Sequence, residues 1–161
     1  AVTVYPFESA INWSDKTGIM TRDDSTKSFL LGSTEISTFA VSDDFLIVGC
    51  MTCDNNMGWI RLYTTDTLRL RHTIKGTDKN SLVGQHVETR RNVVGMNQLW
   101  FSSRYNDFVF LSTLLAFQDI STEKWEFYEE SQLYSFPGAT NDDSAEFSCY
   151  DKSCFFKSSE G

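Results

Sequence analysis

The residues best suited to chemistry lie in the segment Gln85-His-Val-Glu-Thr-Arg-Arg91. If this segment is a strand, His86, Glu88 and Arg90 share one face of a sheet, because side chains alternate with a period of two. Cleavage of RNA by transesterification needs a base, an acid and a cation that stabilises the charged intermediate. His72 is the candidate for a second acid–base group in such a reaction.

This set of groups is similar in chemistry to that of the small secreted guanyl-type ribonucleases. The resemblance implies a ribonuclease-like toxin with His72, His86, Glu88 and Arg90 in catalysis. The same alternation is also typical of an exposed strand whose charged side chains pair with one another. The sequence favours this second interpretation, and we therefore expect no catalytic residue.

Other catalytic motifs are missing from the sequence. The chain holds no Gly-x-Ser-x-Gly elbow, no His-Glu-x-x-His, no phosphate-binding glycine loop and no EF-hand spacing. Adjacent acidic residues such as Asp43-Asp44 and Asp142-Asp143 would point to opposite faces of a strand, so they do not predict a glycosidase dyad. We therefore predict no cofactor and no bound metal.

Four cysteines occur as two close pairs, Cys50 with Cys53 and Cys149 with Cys154. Three disulfide connectivities are possible: a local one, and two that tie the first pair to the second. Zinc ligation by the four thiolates and a thioredoxin-type role for the first pair are the alternatives. The sequence favours disulfides, because the pairs stand far apart for a zinc site and the first pair follows an apolar, strand-like run.

Several features favour a secreted, extracellular protein. Disulfides persist chiefly in oxidising compartments. The chain starts at Ala1 rather than at a methionine, as expected of a mature chain after removal of a signal or pro-segment. Asn12-Trp13-Ser14 is a glycosylation sequon, which predicts a glycan on Asn12.

The composition excludes some classes of protein. The 161 residues carry 14 Lys and Arg against 22 Asp and Glu, a net charge of −8, and their number predicts a single domain over residues 1–161. The apolar runs are shorter than the roughly 20 residues that cross a bilayer, so we expect no membrane span. The overall acidity argues against a nucleic-acid partner.

The charge is unevenly distributed along the chain. Residues 61–104 hold eight Lys and Arg against three Asp and Glu, a net charge of +5, while the remainder carries −13. This basic third predicts a surface that binds an acidic partner. Its candidate partner-binding residues are Arg69, Arg71, Lys75, Lys79, Arg90 and Arg91. The alternative is that they are outward-facing strand positions paired with acidic neighbours.

Short strand-like runs dominate the sequence, and no window shows a sustained helical period of apolar residues. Ten or so such runs, spaced roughly 8–12 residues apart, predict an all-β fold. We expect an antiparallel β-barrel or β-sandwich of about ten short strands, stapled by disulfides.

Residues 41–49 and 59–66 together resemble one blade of a β-propeller. The resemblance covers one blade of about 40 residues, and its period does not recur downstream, whereas a propeller needs several blades. We therefore expect an ordinary antiparallel meander in this region.

Tryptophan residues suggest a further function. A tryptophan face offers a large rigid contact area, so Trp13, Trp59, Trp100 and Trp125 could line a carbohydrate-binding surface. The sequence favours a place in the core for most of them.

The start Ala1-Val-Thr-Val, the two cysteine pairs and the strand-rich interior resemble, at class level, the small secreted effectors and toxins of plant-pathogenic fungi. Necrosis-inducing effectors released from pro-proteins are the nearest type. The resemblance implies recognition of a host or cell-surface protein, or a glycan, through a surface rather than turnover of a substrate. We therefore expect a secreted, non-enzymatic interaction protein, with a ribonuclease-like toxin and a carbohydrate-binding module as alternatives.

Overall fold

The computed structural model describes residues 2–4, 27–29, 36–91, 96–105, 108–137, 146–150 and 153–157, with side chains described in 36–90, 96–104 and 108–129. The chain divides into two compact units, Ala1–Thr34 and Glu35–Gly161. In the first unit, β1 (Val2–Val4) pairs antiparallel with β2 (Lys27–Phe29). The expectation of a single domain over residues 1–161 stays a prediction.

The second unit contains a four-stranded antiparallel sheet, here called the first sheet, whose strands follow one another in chain order. Its strands are β3 (Thr38–Val41), β4 (Phe45–Cys50), β5 (Trp59–Thr64) and β6 (Leu70–Lys75). A single turn labelled α1 (Cys53–Asn56) lies between β4 and β5. Ser42 closes the β3–β4 turn, because its hydroxyl accepts the backbone N–H of Phe45 at 3.1 Å.

The same unit contains another four-stranded antiparallel sheet, the second sheet, again with strands in chain order. Its strands are β7 (Val87–Arg91), β8 (Asn97–Tyr105), β9 (Phe108–Gln118) and β10 (Trp125–Pro137). A separate two-stranded ladder joins β11 (Glu146–Tyr150) to β12 (Ser153–Lys157).

Alternate residues of both sheets contribute to one shared hydrophobic core. The first sheet supplies Phe45, Ile47, Ile60, Leu62 and Ile74, and the second supplies Val87, Leu99, Phe101, Leu114 and Ala116. Trp125 packs edge-on against Phe45, with ring centroids 4.5 Å apart. Because burial of one large apolar side chain contributes about 1.5–3 kcal/mol, this core is the main stabilising feature of the unit.

The four-stranded meander recurs along the chain, since Val87 opens the second sheet 49 residues after Thr38 opens the first. The first strands of the two sheets, β3 and β7, lie in contact. The Thr89 hydroxyl donates to the Val41 carbonyl at 3.2 Å across that contact. The predicted ordinary antiparallel meander is confirmed in the first sheet. The second sheet repeats its strand order without repeating its residue pattern.

The predicted all-β class is confirmed, since the described residues are mostly antiparallel β-structure with almost no helix. They form no closed barrel. They comprise twelve strands where about ten were expected. Among the described residues, no helix has the length and apolar character needed to traverse a bilayer.

Candidate functional site

The first cysteine pair forms a local disulfide, Cys50–Cys53, at the end of β4. The two long-range connectivities are therefore excluded. Neither sulfur remains as a thiolate ligand for zinc, and Cys50 ends a strand rather than opening a helix, as a thioredoxin-type thiol would. The register of β11 and β12 places Cys149 opposite Cys154, and a disulfide between them stays a prediction.

A left-handed turn follows the disulfide. The backbone φ angles of Asp54, Asn55 and Asn56 are 54°, 61° and 63°. Apart from glycine, Asn and Asp are the residues that best tolerate this conformation, because their short polar side chains can bond locally. The run Asp-Asn-Asn after the second cysteine therefore suits the turn.

This turn supports the loop that follows β6, here called loop 76–83. Carbonyl oxygens of residues 56–58 accept backbone N–H groups from both ends of loop 76–83, at 3.0–3.1 Å. Gly58 and Gly76 permit this close approach, since a Cβ atom on either would overlap the backbone of the facing segment. The disulfide hairpin and loop 76–83 are thus joined backbone to backbone.

A cleft of about 390 Å³ lies between loop 76–83 and the second sheet. Its apolar lining consists of Ile74, Val83, Phe101 and Phe110, and its polar lining consists of Lys75, Thr77, Asp78, Ser81, Ser103 and Arg104. Among these, Lys75 alone belongs to the predicted partner-binding set. The sequence does not predict the other lining residues as a site, because they come from two sheets and the loop between them. The one local indication is the polar run 76–81, which begins with a glycine and predicts a loop.

The predicted basic residues are partly brought together. Arg69, Arg71, Lys75 and Lys79 are exposed on β6 and the segments that flank it. Within the described residues these four form no ion pair. Arg90 is half-buried on β7 of the other sheet, and the side chain of Arg91 lies outside the described residues.

The predicted catalytic residues divide between two contacts. β7 begins at Val87, so His86 stands just before the strand, and its Nε2 lies 3.6 Å from Oε1 of Glu88. Glu88 and Arg90 alternate on the strand face opposite Val87. The structure therefore brings His86 and Glu88 together at the start of β7.

His72 belongs to β6 and contacts β10 instead. Its Nε2 lies 3.0 Å from Oε1 of Glu129, and its ring stacks on Phe127 with centroids 4.5 Å apart. These contacts join the two sheets at their rim.

The tryptophan residues divide between core and partly covered positions. Trp59 is buried, and the guanidinium carbon of Arg61 lies 4.1 Å from the centre of its ring. Trp100 and Trp125 are half-buried. Trp13 and the predicted glycosylation site Asn12 lie outside the described residues.

Two exposed turns hold carboxylates whose pKa is lowered by hydrogen bonds. For Asp66 the hydroxyl of Thr64 is the largest cause, followed by the hydroxyl and N–H of Thr67. For Asp119 the hydroxyl and N–H of Ser121, both at 2.7 Å, lower the pKa. Hydrogen-bond donors favour the charged form of a carboxyl, and both groups serve turn geometry rather than the cleft.

No cluster of three or more His, Cys, Asp or Glu side chains within the described ranges is arranged to hold a metal ion. Comparison with known proteins found that the chain matches no protein-family model and no curated protein sequence.

Proposed function

We propose that this protein is a secreted, non-enzymatic binding protein that recognises an acidic segment of a host or cell-surface protein through its basic edge strand. The observation that carries the proposal is β6 with its flanking segments, where four exposed cations have no acidic partner among the described residues. A partner with negative charge would complement this surface.

The position of β6 favours recognition of an extended peptide. β6 ends the first sheet, and in the described residues its hydrogen-bonded neighbour is β5. An edge strand offers N–H and C=O groups to an added strand, so the backbone supplies affinity and the side chains supply selectivity. Leu70, half-exposed on the same edge, adds an apolar contact.

Lysine and arginine on an edge also protect a protein from pairing with other sheets. A solvation role of that kind predicts that charge reversal leaves binding of every peptide unchanged. The recognition role predicts that charge reversal lowers the binding affinity for acidic peptides specifically.

The test uses fluorescence polarisation with labelled peptides in which valine or threonine alternates with glutamate, and matched peptides with lysine in place of glutamate. We expect the acidic peptides alone to bind, and Arg69→Glu/Arg71→Glu to weaken binding roughly tenfold. Lys124→Glu reverses an exposed lysine between β9 and β10 and is the matched control. Equal binding of both peptide types, no saturable binding, or an equal loss in the control would contradict the proposal.

Secretion is supported by the Cys50–Cys53 disulfide, because such bonds are rare in reducing compartments. The test is to read the coding sequence upstream of Ala1 and to assay culture medium and cell extract for the protein. A signal sequence and recovery from the medium are expected, whereas recovery from the cytosol alone would overturn this part of the proposal.

For the fold, we infer that the two four-stranded sheets pack face to face as a β-sandwich rather than closing into a barrel. The shared core and the Thr89–Val41 hydrogen bond between first strands support this inference. Nuclear Overhauser contacts between Thr89 and Val41 are expected. Their absence in a folded sample would count against the arrangement.

A further inference from the structure

We propose that the cleft beside loop 76–83 is a binding site for a small organic carboxylate with an apolar body. The site adjoins the peptide-binding edge and shares Ile74 and Lys75 of β6 with it, but its other lining residues lie outside that strand. Its volume of about 390 Å³ falls within the range of roughly 300–1,000 Å³ that is usual for small-molecule sites.

The floor of the cleft is apolar. Phe101 on β8, Ile74 on β6 and Val83 on loop 76–83 are each buried to about 95%. Phe110, paired with Ser103 across the β8–β9 ladder, adds a second aromatic side chain to this lining. A phenyl or alkyl group placed here would replace water against aromatic and aliphatic carbon.

The polar groups of the cleft are not equally available to a ligand. The Ser81 hydroxyl is committed to loop 76–83, since it donates to the Asp78 carbonyl at 2.6 Å and accepts the Asp78 N–H at 3.0 Å. The Thr77 hydroxyl donates to the Asp78 carboxylate at 2.8 Å. Both groups therefore stabilise the loop.

Lys75 and Ser103 are the groups left for a ligand. Within the described residues, neither side chain makes a hydrogen bond or an ion pair. They line the same cleft, one at the end of β6 and the other on β8. Arg104 adds a further positive charge to the lining and Asp78 adds one negative charge, so the net charge of the lining is +1. An ammonium and a hydroxyl above an apolar floor match a carboxylate attached to a hydrocarbon group.

The walls of the cleft are held in place before a ligand arrives. The carbonyl oxygens of residues 56–58 hold both ends of loop 76–83, and the Arg104 N–H donates to the Ser81 carbonyl at 2.6 Å. The disulfide Cys50–Cys53 anchors the turn that carries those carbonyl groups. Preformed walls lower the entropic cost of binding a small molecule.

The test compares phenylpropionate with phenylpropanol, a neutral molecule of similar shape, by following backbone amide resonances during titration. We expect saturable shifts at Gly76 and Ser103, with the carboxylate binding about tenfold more tightly than the alcohol. Lys75→Met should remove that preference, and Ser103→Phe should block both probes by filling the cleft. Lys124→Met, which removes an exposed lysine elsewhere, should leave both affinities unchanged.

Arg69→Glu/Arg71→Glu should bind phenylpropionate as the unmodified protein does, so that failure of the edge-strand proposal and failure of the cleft proposal are separable. Equal affinity for the two probes, an unchanged preference in Lys75→Met, or no saturable shift would each overturn the site. Because Lys75 is exposed, its substitution keeps the test valid even if Ser103→Phe fails to fold.

Discussion

Nε2 of His72 lies 3.0 Å from Oε1 of Glu129, although 57 residues separate them in the sequence. Beside this contact the His72 ring stacks nearly parallel on Phe127, with planes 13° apart. A residue that the sequence presents as a catalytic candidate therefore joins β6 of the first sheet to β10 of the second.

His72→Ala should lower the free energy of unfolding by about 1 kcal/mol, because it removes an aromatic contact and a partly exposed polar pair. His72→Phe should recover much of this loss by restoring the stacked ring. Urea unfolding followed by circular dichroism measures both values. An equal free energy of unfolding for His72→Ala and the unmodified protein would show that the contact does not contribute to stability.

Reduction of the Cys50–Cys53 disulfide should destabilise the second unit by about 2 kcal/mol, the value expected for a short closed loop. The measurement is best made in a Cys149→Ser/Cys154→Ser background, so that the reductant acts on one cysteine pair. Amide hydrogen exchange at Gly76 and Val83 should accelerate more than at Leu114, because loop 76–83 depends on the turn after the disulfide. Uniform acceleration across all three amides would argue against this local coupling.

Acid should weaken the fold through Asp66 and Asp119. Hydrogen bonds hold the pKa of each carboxyl below its ordinary value of 3.8, so their stabilising effect is present above that value. It is lost as the pH falls through the lowered pKa of the folded state, when protonation removes the acceptor. Asp66→Asn and Asp119→Asn should therefore flatten the decline of stability below about pH 4. Urea unfolding at a series of acidic pH values measures the free energy of unfolding as a function of pH. If both variants lose stability with falling pH as steeply as the unmodified protein, this role of the two carboxyl groups is contradicted.

His86→Ala should leave acidic-peptide binding unchanged, because His86 contacts Glu88 at the start of β7 and is not part of the β6 edge. The companion assay incubates the protein with single-stranded RNA and follows fragment length. We expect intact RNA. Cleavage that disappears in both His86→Ala and His72→Ala would instead establish the ribonuclease-like alternative.

Much of the fold can be predicted from local patterns. Alternation in residues 59–64 and 68–74, and the Ser-Asp-Asp turn at 42–44, predict strands and a hairpin that the structure contains. The local cysteine spacing includes the observed Cys50–Cys53 connectivity among its options. Strand-like runs also predict strands in the second sheet, but they do not show that its strand order repeats that of the first, because a repeated strand order needs no repeated residues.

The candidate sites are less predictable. Sequence reasoning finds the exposed cations of β6, since a run of like charges is visible in one dimension. It groups Arg90 with them, although the fold places that residue in the other sheet. It also groups His72 with His86, because the two histidines are close in the sequence. In the structure His72 contacts Glu129, whereas His86 contacts Glu88.

By itself the sequence determined the strand-rich class, the uneven charge and the residue types that tolerate a left-handed turn at 54–56. These follow from side-chain periodicity, charge and backbone sterics, which act over a few residues. The tertiary structure alone decided which distant residues come together: Lys75 and Ser103 line one cleft, and His72 contacts Glu129 across the sheets. Such long-range contacts depend on how the two sheets pack around a shared core, and a local sequence pattern does not specify that packing.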